Sequence, residues 1–142
     1  MTTMATILLV EDHDDLRANI RLRLELDHHR VVEAADGTEA RQYWRSFTFD
    51  LIITAFSMPS MNGQEVIQMV SVGQPTLPII LMSDGIEESV LLCILHRFPS
   101  VRYLPKQIIS THLPIYLSDA LRMKPAMSDR LSGARPQLTK TV

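Results

Sequence analysis

Residues 50–63 read DLIITAFSMPSMNG, and this stretch decides the fold. It begins as a strand-length run of branched apolar residues and ends as a polar turn that contains proline and glycine. An apolar run without alternation is typical of a strand covered on both faces. Ala55 stands where this strand would end and its loop would begin, the place where parallel sheets carry their chemistry. A methyl group can perform none, so Ala55 raises the question of what the site does.

Four further apolar runs of strand length occur along the chain, and a stretch with helical spacing follows each run. The predicted strands cover 6–10, 30–34, 50–54, 78–82 and 101–104. The predicted helices cover 14–27, 38–47, 64–72, 87–98 and 111–123, the last with a Ser110/Thr111 cap and Pro114 in its first turn. Five successive strand–helix units predict an α/β fold, in which a parallel sheet carries helices on both faces.

Length and composition indicate one globular domain. The chain has 142 residues, 46% of them hydrophobic and 21% charged, and a formal net charge of -2, which favours neither a polyanion nor a membrane as partner. It shows no leader and no apolar run near the ~18 residues of a membrane span, so we expect a cytoplasmic protein. We expect residues 1–123 to form the domain. Residues 124–142 hold four basic residues against one acidic residue, and we expect them to be a flexible basic tail or a truncated linker.

Cysteine and histidine usage argues against disulfides and zinc. Cys93 is the single cysteine, which excludes an internal disulfide, and its apolar surroundings predict a core or interface thiol. His28 and His29 fall at a predicted helix end, where solvated imidazoles are common. No further cysteine or histidine stands at the spacing of a zinc site.

The residues at the carboxyl ends of the predicted strands are the candidate site, because ligands of such sheets bind there. These strand ends offer Glu11 with Asp12, Ala55, Ser83 and Lys106. Two adjacent carboxylates suit a hard cation such as Mg²⁺. A lysine and a hydroxyl facing that cation would hold the oxygens of a phosphoryl group. The set lacks only a nucleophile, and the vacant strand end is the one at Ala55.

Five blocks of the chain resemble the receiver domain of two-component response regulators. ILLVEDHDDLR (7–17) is similar to that family's first strand and acidic pair, and VVEAADGTEA (31–40) to its second strand with an Asp-Gly turn. FDLIITAFSMPSMNG (49–63) resembles the third strand and phosphorylation loop. PIILMS (78–83) and YLPK (103–106) resemble the segments that carry the switch hydroxyl, the switch aromatic residue and the lysine. The blocks occur in the family's order and spacing, which makes the match specific.

This resemblance covers roughly residues 5–123 and implies a fold and a set of roles. The implied fold is a flavodoxin-like, doubly wound (βα)5 sandwich whose parallel five-stranded sheet has the order 2-1-3-4-5. The implied cofactor is Mg²⁺. By position, the metal ligands would be Glu11, Asp12 and the backbone carbonyl of Ser57, the phosphoryl-binding residues Ser83 and Lys106, and the switch residues Ser83 and Tyr103.

Two positions depart from the family's pattern. Ala55 stands where the family has its phosphoaccepting aspartate, so this chain cannot be phosphorylated in the family's manner. The alanine is either an engineered or otherwise recent replacement of aspartate, or the mark of a naturally degenerate receiver. A degenerate site is expected to lose several members, so the acid pair, hydroxyl and lysine that remain favour the recent replacement. Gln107 follows Lys106 where the family usually has a proline joined by a cis bond, which leaves the geometry of that loop open.

The run SVLLCIL (89–95) predicts a surface for partners. A helix that covers one side of a sheet needs one apolar stripe. The stripe would comprise Val90, Cys93 and Ile94, and the leucines outside it are Leu91, Leu92 and Leu95. These leucines either dock under the last helix or form an exposed patch. In receiver domains the face built by the fourth helix, fifth strand and fifth helix carries the output of activation, so we predict a homodimer or partner surface there.

The resemblance implies a signalling switch rather than a turnover enzyme. A sensor histidine kinase or a histidine phosphotransfer protein would donate a phosphoryl group to an aspartate at position 55, and the form with alanine would be locked unphosphorylated. The alternative is a phosphorylation-independent pseudo-receiver that acts as a protein–protein interaction module. A phosphatase with an aspartate nucleophile, or a flavin carrier, fits poorly because no second aspartate stands two residues after position 55 and no phosphate loop follows the first strand. We expect no nucleic-acid binding by this chain itself.

Overall fold

The computed structural model describes residues 4–123 and places five parallel strands in one sheet. The strands are β1 (Thr6–Val10), β2 (Arg30–Ala34), β3 (Leu51–Ala55), β4 (Ile79–Ser83) and β5 (Val101–Pro105). Their order in the sheet is β2-β1-β3-β4-β5, which confirms the doubly wound α/β topology. The predicted strand limits agree with the observed limits to within one residue. The expectation for residues 124–142 lies outside the described residues.

Within residues 4–123, four α-helices connect the strands and a fifth follows β5. They are α1 (Asp14–Leu26), α2 (Gly37–Ser46), α3 (Gly63–Gly73), α4 (Glu88–Arg97) and α5 (Ile109–Met123), and a 3₁₀ turn over Lys106–Ile108 precedes α5. Side chains cap the first three helices: His13, Asp36 and Asn62 each accept a hydrogen bond from a backbone N–H of the first turn. These bonds satisfy donors that a helix start leaves free.

Within residues 4–123, no helix combines the length and the apolar character that crossing a lipid bilayer requires.

Two apolar layers form the core, one on each face of the sheet. Alternate residues of a strand point to opposite faces, so Ile7 and Leu9 pack with α1 and α5 while Leu8 and Val10 pack with the layer that contains α2, α3 and α4. All residues of β3 and β4 are buried, as their unbroken apolar runs predict. The two central strands therefore hold their carboxyl ends at fixed positions, between the ends of β1 and β5.

Helix α4 buries a narrower stripe than the sequence predicts. Ile94 is fully buried, whereas Val90, Leu91 and Leu95 are half-buried against the core. Cys93 is exposed, so the prediction that it belongs to the buried stripe or to the core is wrong. An apolar run does not reveal which side of its helix faces the sheet.

Helix α5 begins two residues earlier than predicted, at Ile109, so Pro114 lies in its second turn rather than its first. A proline has no N–H to donate to the carbonyl four residues before it, which here is the carbonyl of Ser110. The guanidinium of Arg23 on α1 donates to that carbonyl from Nη1 at 2.9 Å. The proline thus leaves an acceptor free, and that acceptor ties α5 to α1.

The end of α1 buries a histidine that the sequence suggested would be solvated. His28 adopts a left-handed backbone conformation with a φ of 70°, and the N–H groups of His28 and His29 bond back to Glu25 and Leu24, which is a Schellman arrangement. The turn directs His29 inward, where it is 6% exposed. Its Nδ1 accepts a hydrogen bond from the backbone N–H of Ala5 at 3.1 Å.

We predict that Arg23→Met destabilises the protein by about 0.5–1 kcal/mol, because the Ser110 carbonyl loses its donor. In a Pro114→Ala background the residue at 114 regains an N–H that can bond to Ser110, so the same change should cost less. Urea unfolding of the four proteins of this double-mutant cycle measures the coupling. Equal costs in both backgrounds would show that Arg23 does not serve the carbonyl freed by Pro114.

We predict an acid-sensitive stability that depends on His29. Burial lowers the pKa of His29 below its ordinary value of 6.5, and protonation of Nδ1 would break the bond from Ala5. Below pH 6.5 the unfolded chain therefore binds more protons at His29 than the folded protein does. The contribution of His29 to the free energy of unfolding is complete above that pH and falls as the pH drops through the folded-state pKa.

Urea unfolding at several pH values below and above 6.5 tests this prediction. The variant His29→Asn keeps an acceptor close to the position of Nδ1 and cannot be protonated, so its stability should vary less with pH. The matched control is His28→Asn, which changes the exposed neighbour. His28 makes the smallest contribution to the pKa of His29, so this variant should keep most of the slope of the parent protein. Equal slopes for the two variants would contradict the role of His29.

Candidate functional site

The candidate site lies at the carboxyl ends of β1, β3, β4 and β5. An open cavity of about 550 Å³ is present there, and the residues that matter on its walls are Glu11, Asp12, Ser57, Ser83, Lys106 and Gln107. The structure therefore brings together five residues that the sequence placed in the site. Ala55 ends β3 and is fully buried, and it does not line the cavity.

A buried ion pair joins the first strand to the last. The side chain of Glu11 is completely buried, and its Oε1 lies 3.0 Å from Nζ of Lys106, whose side chain is 16% exposed. This contact is too poorly aligned to count as a hydrogen bond, so its attraction is that of opposite charges in a region with little water. The second oxygen, Oε2, accepts a hydrogen bond from the backbone N–H of His13 at 3.0 Å. Both oxygens of the carboxylate are thus engaged by protein groups.

The hydroxyl of Ser83 stands at the end of β4 and is buried. Its Oγ accepts a hydrogen bond from the N–H of Gly85 at 3.0 Å, which fixes the start of the loop between β4 and α4. Gln107 donates from Nε2 to the carbonyl of Asp84 at 2.9 Å and so connects that loop to the segment after β5. No cis peptide bond occurs in residues 4–123, so the bond between Lys106 and Gln107 is trans.

Close backbone approach shapes the loop after β3. The N–H of Gly63 donates to the carbonyl of Phe56 at 2.7 Å. A Cβ at position 63 would lie 2.2 Å from the carbonyl oxygen of Ala55, much closer than real Cβ contacts. The glycine that ends the stretch 50–63 is therefore required for this turn to close against the strand end.

Arg17 is a site residue that sequence reasoning missed. Its Nη1 donates to the backbone carbonyl of Glu11 at 2.8 Å, and its other nitrogens pair with Asp14 and Glu33 at 2.9 and 3.1 Å. Burial alone would lower the pKa of Arg17, but hydrogen bonds to these two carboxylates outweigh burial and raise the pKa. The spacing of Asp14 and Arg17 on one helix face was the available signal. His13 and Gln107, both on the cavity wall, were missed as well.

The side chains present do not make a tight metal site as they stand. Within residues 4–123, no group of three or more His, Cys, Asp or Glu side chains is arranged to hold a metal ion. Asp12 is exposed and available, but the carboxylate of Glu11 is neutralised by Lys106. Position 55 offers no third carboxylate. A cation such as Mg²⁺ requires several oxygen ligands. In this set the carboxylate at position 55 is missing, and the carboxylate of Glu11 is already paired with Lys106.

Tyr103 and the predicted interface residues lie away from this cavity, whereas the predicted switch residue Ser83 lines it. Tyr103 is half-buried against the core and borders a second cavity of about 510 Å³ with Tyr116 of α5. On α4, Leu92 is 57% exposed, whereas Leu91 and Leu95 are half-buried. The predicted three-leucine patch is therefore reduced to Leu92.

Comparisons with known proteins agree with this geometry. The chain is 33% identical over 78 residues to response regulator GtcR of Aneurinibacillus migulanus, which is 55% of this chain and 32% of that protein. It is 28% identical over 141 residues to hybrid signal transduction histidine kinase D of Dictyostelium discoideum, which is 96% of this chain and 9% of that protein. The chain thus spans a third or less of these curated relatives. The non-phosphorylated HemR receiver domain from Leptospira biflexa superposes with a TM-score of 0.75 at 26% identity, over 92% of this chain and 97% of that chain.

A family model for the response regulator receiver domain matches residues 7–117. That match covers most of the chain and includes the ends of β1, β3, β4 and β5 together with the loops between them. The sheet order and the position of the acidic pair opposite the lysine are those expected of the family. The chain therefore belongs to the response regulator receiver domain family.

Proposed function

We propose that this chain is the receiver of a two-component phosphorelay and that Ala55 keeps this form unphosphorylated. The observation that supports the proposal is the 3.0 Å contact between Glu11 and Lys106. It shows that the acid of the first strand and the lysine of the last share one small space at one end of the sheet. A phosphoryl group bound at this end of the sheet would lie within reach of the ammonium of Lys106.

The proposed chemistry needs an aspartate at position 55. Its carboxylate oxygen would attack the phosphorus of a phosphohistidine on a sensor kinase or a phosphotransfer protein, so that an O–P bond forms as the N–P bond breaks. Lys106 and the hydroxyl of Ser83 would then pair with the phosphoryl oxygens. Receiver domains bind Mg²⁺ at their acidic site. In the aspartate form the ligands would be Glu11, Asp12 and the carbonyl of Ser57.

The proposed output runs through the surface formed by α4, β5 and α5. Ser83 is buried on the cavity wall and Tyr103 lies on β5, and in this proposal the two residues would link the cavity to that surface. Leu92 is exposed on α4 and would contribute an apolar contact to a homodimer or to a downstream protein. Receiver domains are signalling switches. The cytoplasmic location of this chain stays a prediction from the sequence.

A second candidate function is a pseudo-receiver that binds its partner without phosphorylation. The buried methyl group of Ala55 favours it, since the protein folds around a site that has no acceptor. This candidate shares the fold and the exposed Leu92 with the first. The two candidates differ only in what an aspartate at position 55 would do.

We predict that Ala55→Asp lowers stability by about 1–3 kcal/mol in the absence of divalent cations, because three carboxylates then meet at adjacent strand ends. Mg²⁺ should restore the loss and bind more tightly than it binds the parent protein. The variant should also be labelled by a small phosphodonor. Thermal unfolding with and without Mg²⁺, and mass spectrometry after phosphodonor treatment, measure these effects.

The matched control for this experiment is Ala55→Asn. Asparagine has nearly the same shape as aspartate, but it carries no charge and no carboxylate oxygen that could attack phosphorus. It should show neither labelling nor stronger Mg²⁺ binding. If the aspartate variant behaves like the asparagine variant, the phosphorelay proposal fails and the interaction module is favoured.

We predict that Leu92→Asp weakens self-association, because it places a charge in the proposed apolar contact. Sedimentation velocity on a parent protein that is shown to be dimeric measures the effect. The matched control is Val72→Asp on α3, which alters a residue that is 81% exposed on another helix. An unchanged mass for Leu92→Asp would remove this surface from the interface.

A further inference from the structure

We propose that Lys106 takes the place of a divalent cation in this chain, so that protein groups alone compensate the carboxylate of Glu11. The inference rests on the proposed function and concerns how its site is held when position 55 carries no carboxylate. Lys106 acts here as a positioning residue for Glu11. The role differs from pairing with a phosphoryl group, and it operates in the unphosphorylated protein.

The first step is the environment of Glu11. Its side chain has no exposure to solvent, and a buried carboxylate without a partner is strongly destabilising. Two protein groups meet this demand: the ammonium of Lys106 at Oε1 and the N–H of His13 at Oε2, each at 3.0 Å. The negative charge is therefore compensated without an external ion.

The second step is the position of Lys106 in the sheet. Lys106 follows β5 and Glu11 follows β1, and the sheet order places β3 and β4 between these strands. The ion pair thus spans the strand ends at Ala55 and Ser83. Because Ala55 ends in a methyl group, no carboxylate at position 55 competes with Glu11 for the ammonium.

The third step is the bond made by the next residue. Gln107 donates to the carbonyl of Asp84, so consecutive residues of one segment hold both β1 and the loop after β4. This bond does not depend on Glu11. Together, Lys106 and Gln107 connect the ends of β1, β4 and β5 through protein groups.

The arrangement has a direct consequence for Mg²⁺. To bind Glu11, the cation must displace the ammonium of Lys106 from Oε1, so its binding competes with an existing ion pair. Two exposed carboxylates on the cavity wall, Asp12 and Asp84, are free of this competition. Within residues 4–123 they are not grouped with a third such side chain to hold an ion, so we expect them to bind Mg²⁺ weakly. The protein with alanine at position 55 should therefore be equally stable whether or not Mg²⁺ is present.

The test begins with the protein of residues 1–142 and Mg²⁺ alone. We expect its melting temperature to change by less than about 1 °C between EDTA and about 10 mM Mg²⁺, since a ligand stabilises a protein only when its concentration exceeds the dissociation constant. Isothermal titration should show no site of submillimolar affinity. A melting temperature that rises by several degrees, or a submillimolar site, would overturn the inference without use of any variant.

The informative variant is Lys106→Met, which keeps the length of the side chain and removes its charge. In EDTA it should melt about 5 °C or more below the parent, because Glu11 is left buried and unpaired. Mg²⁺ should recover much of that loss and bind about tenfold or more tightly than it binds the parent. A variant that is not destabilised, or that gains no response to Mg²⁺, would contradict the role of Lys106.

The matched control is Arg21→Met, which removes a basic residue paired with Glu33 at 3.1 Å away from the cavity. It should not alter the response to Mg²⁺. If Lys106→Met does not fold, the titration of the parent protein still decides the question. Phosphodonor labelling of Ala55→Asp is a separate measurement. The proposed function can therefore stand when this inference fails, and this inference can stand when the labelling fails.

Discussion

One buried charge governs the site: the carboxylate of Glu11 has no access to water and must be met by a positive group. Lys106 provides this group from the end of β5, two strands beyond the neighbour of β1 in the sheet. The ion pair thus links the ends of β1 and β5. Hydrogen bonds also hold the backbone next to the two charged residues. Arg17 binds the carbonyl of Glu11, and Gln107 binds the loop beyond Ser83. The pocket is thus a set of charges and dipoles that compensate one another.

The fold supplies the rigidity that such a pocket needs. β3 and β4 are buried along their whole length, so their carboxyl ends cannot move without disturbing both apolar layers. The loop after β3 closes against the strand through Gly63, and α1 starts directly after the acidic pair with His13 as its cap. Each element that borders the cavity is therefore anchored by packing or by a hydrogen bond to its own backbone.

Sequence reasoning succeeded where the signal is local and failed where it is not. Branched apolar runs and their turns predicted all five strands, and the residues just after them predicted Glu11, Ser83 and Lys106 as neighbours. The burial of His29 depends on Ala5, 24 residues away, and the bond from Arg23 reaches a residue 87 positions later. The sequence around one residue does not reveal a partner this distant along the chain. Cys93 was misplaced because periodicity does not tell which side of an apolar helix meets the sheet.

The close packing of Gly63 also bears on how this chain can change over generations. Every single-base missense change in a glycine codon introduces a side chain, and here any side chain would collide with the carbonyl of Ala55. The turn after β3 is therefore fixed against drift, and with it the backbone on which position 55 stands.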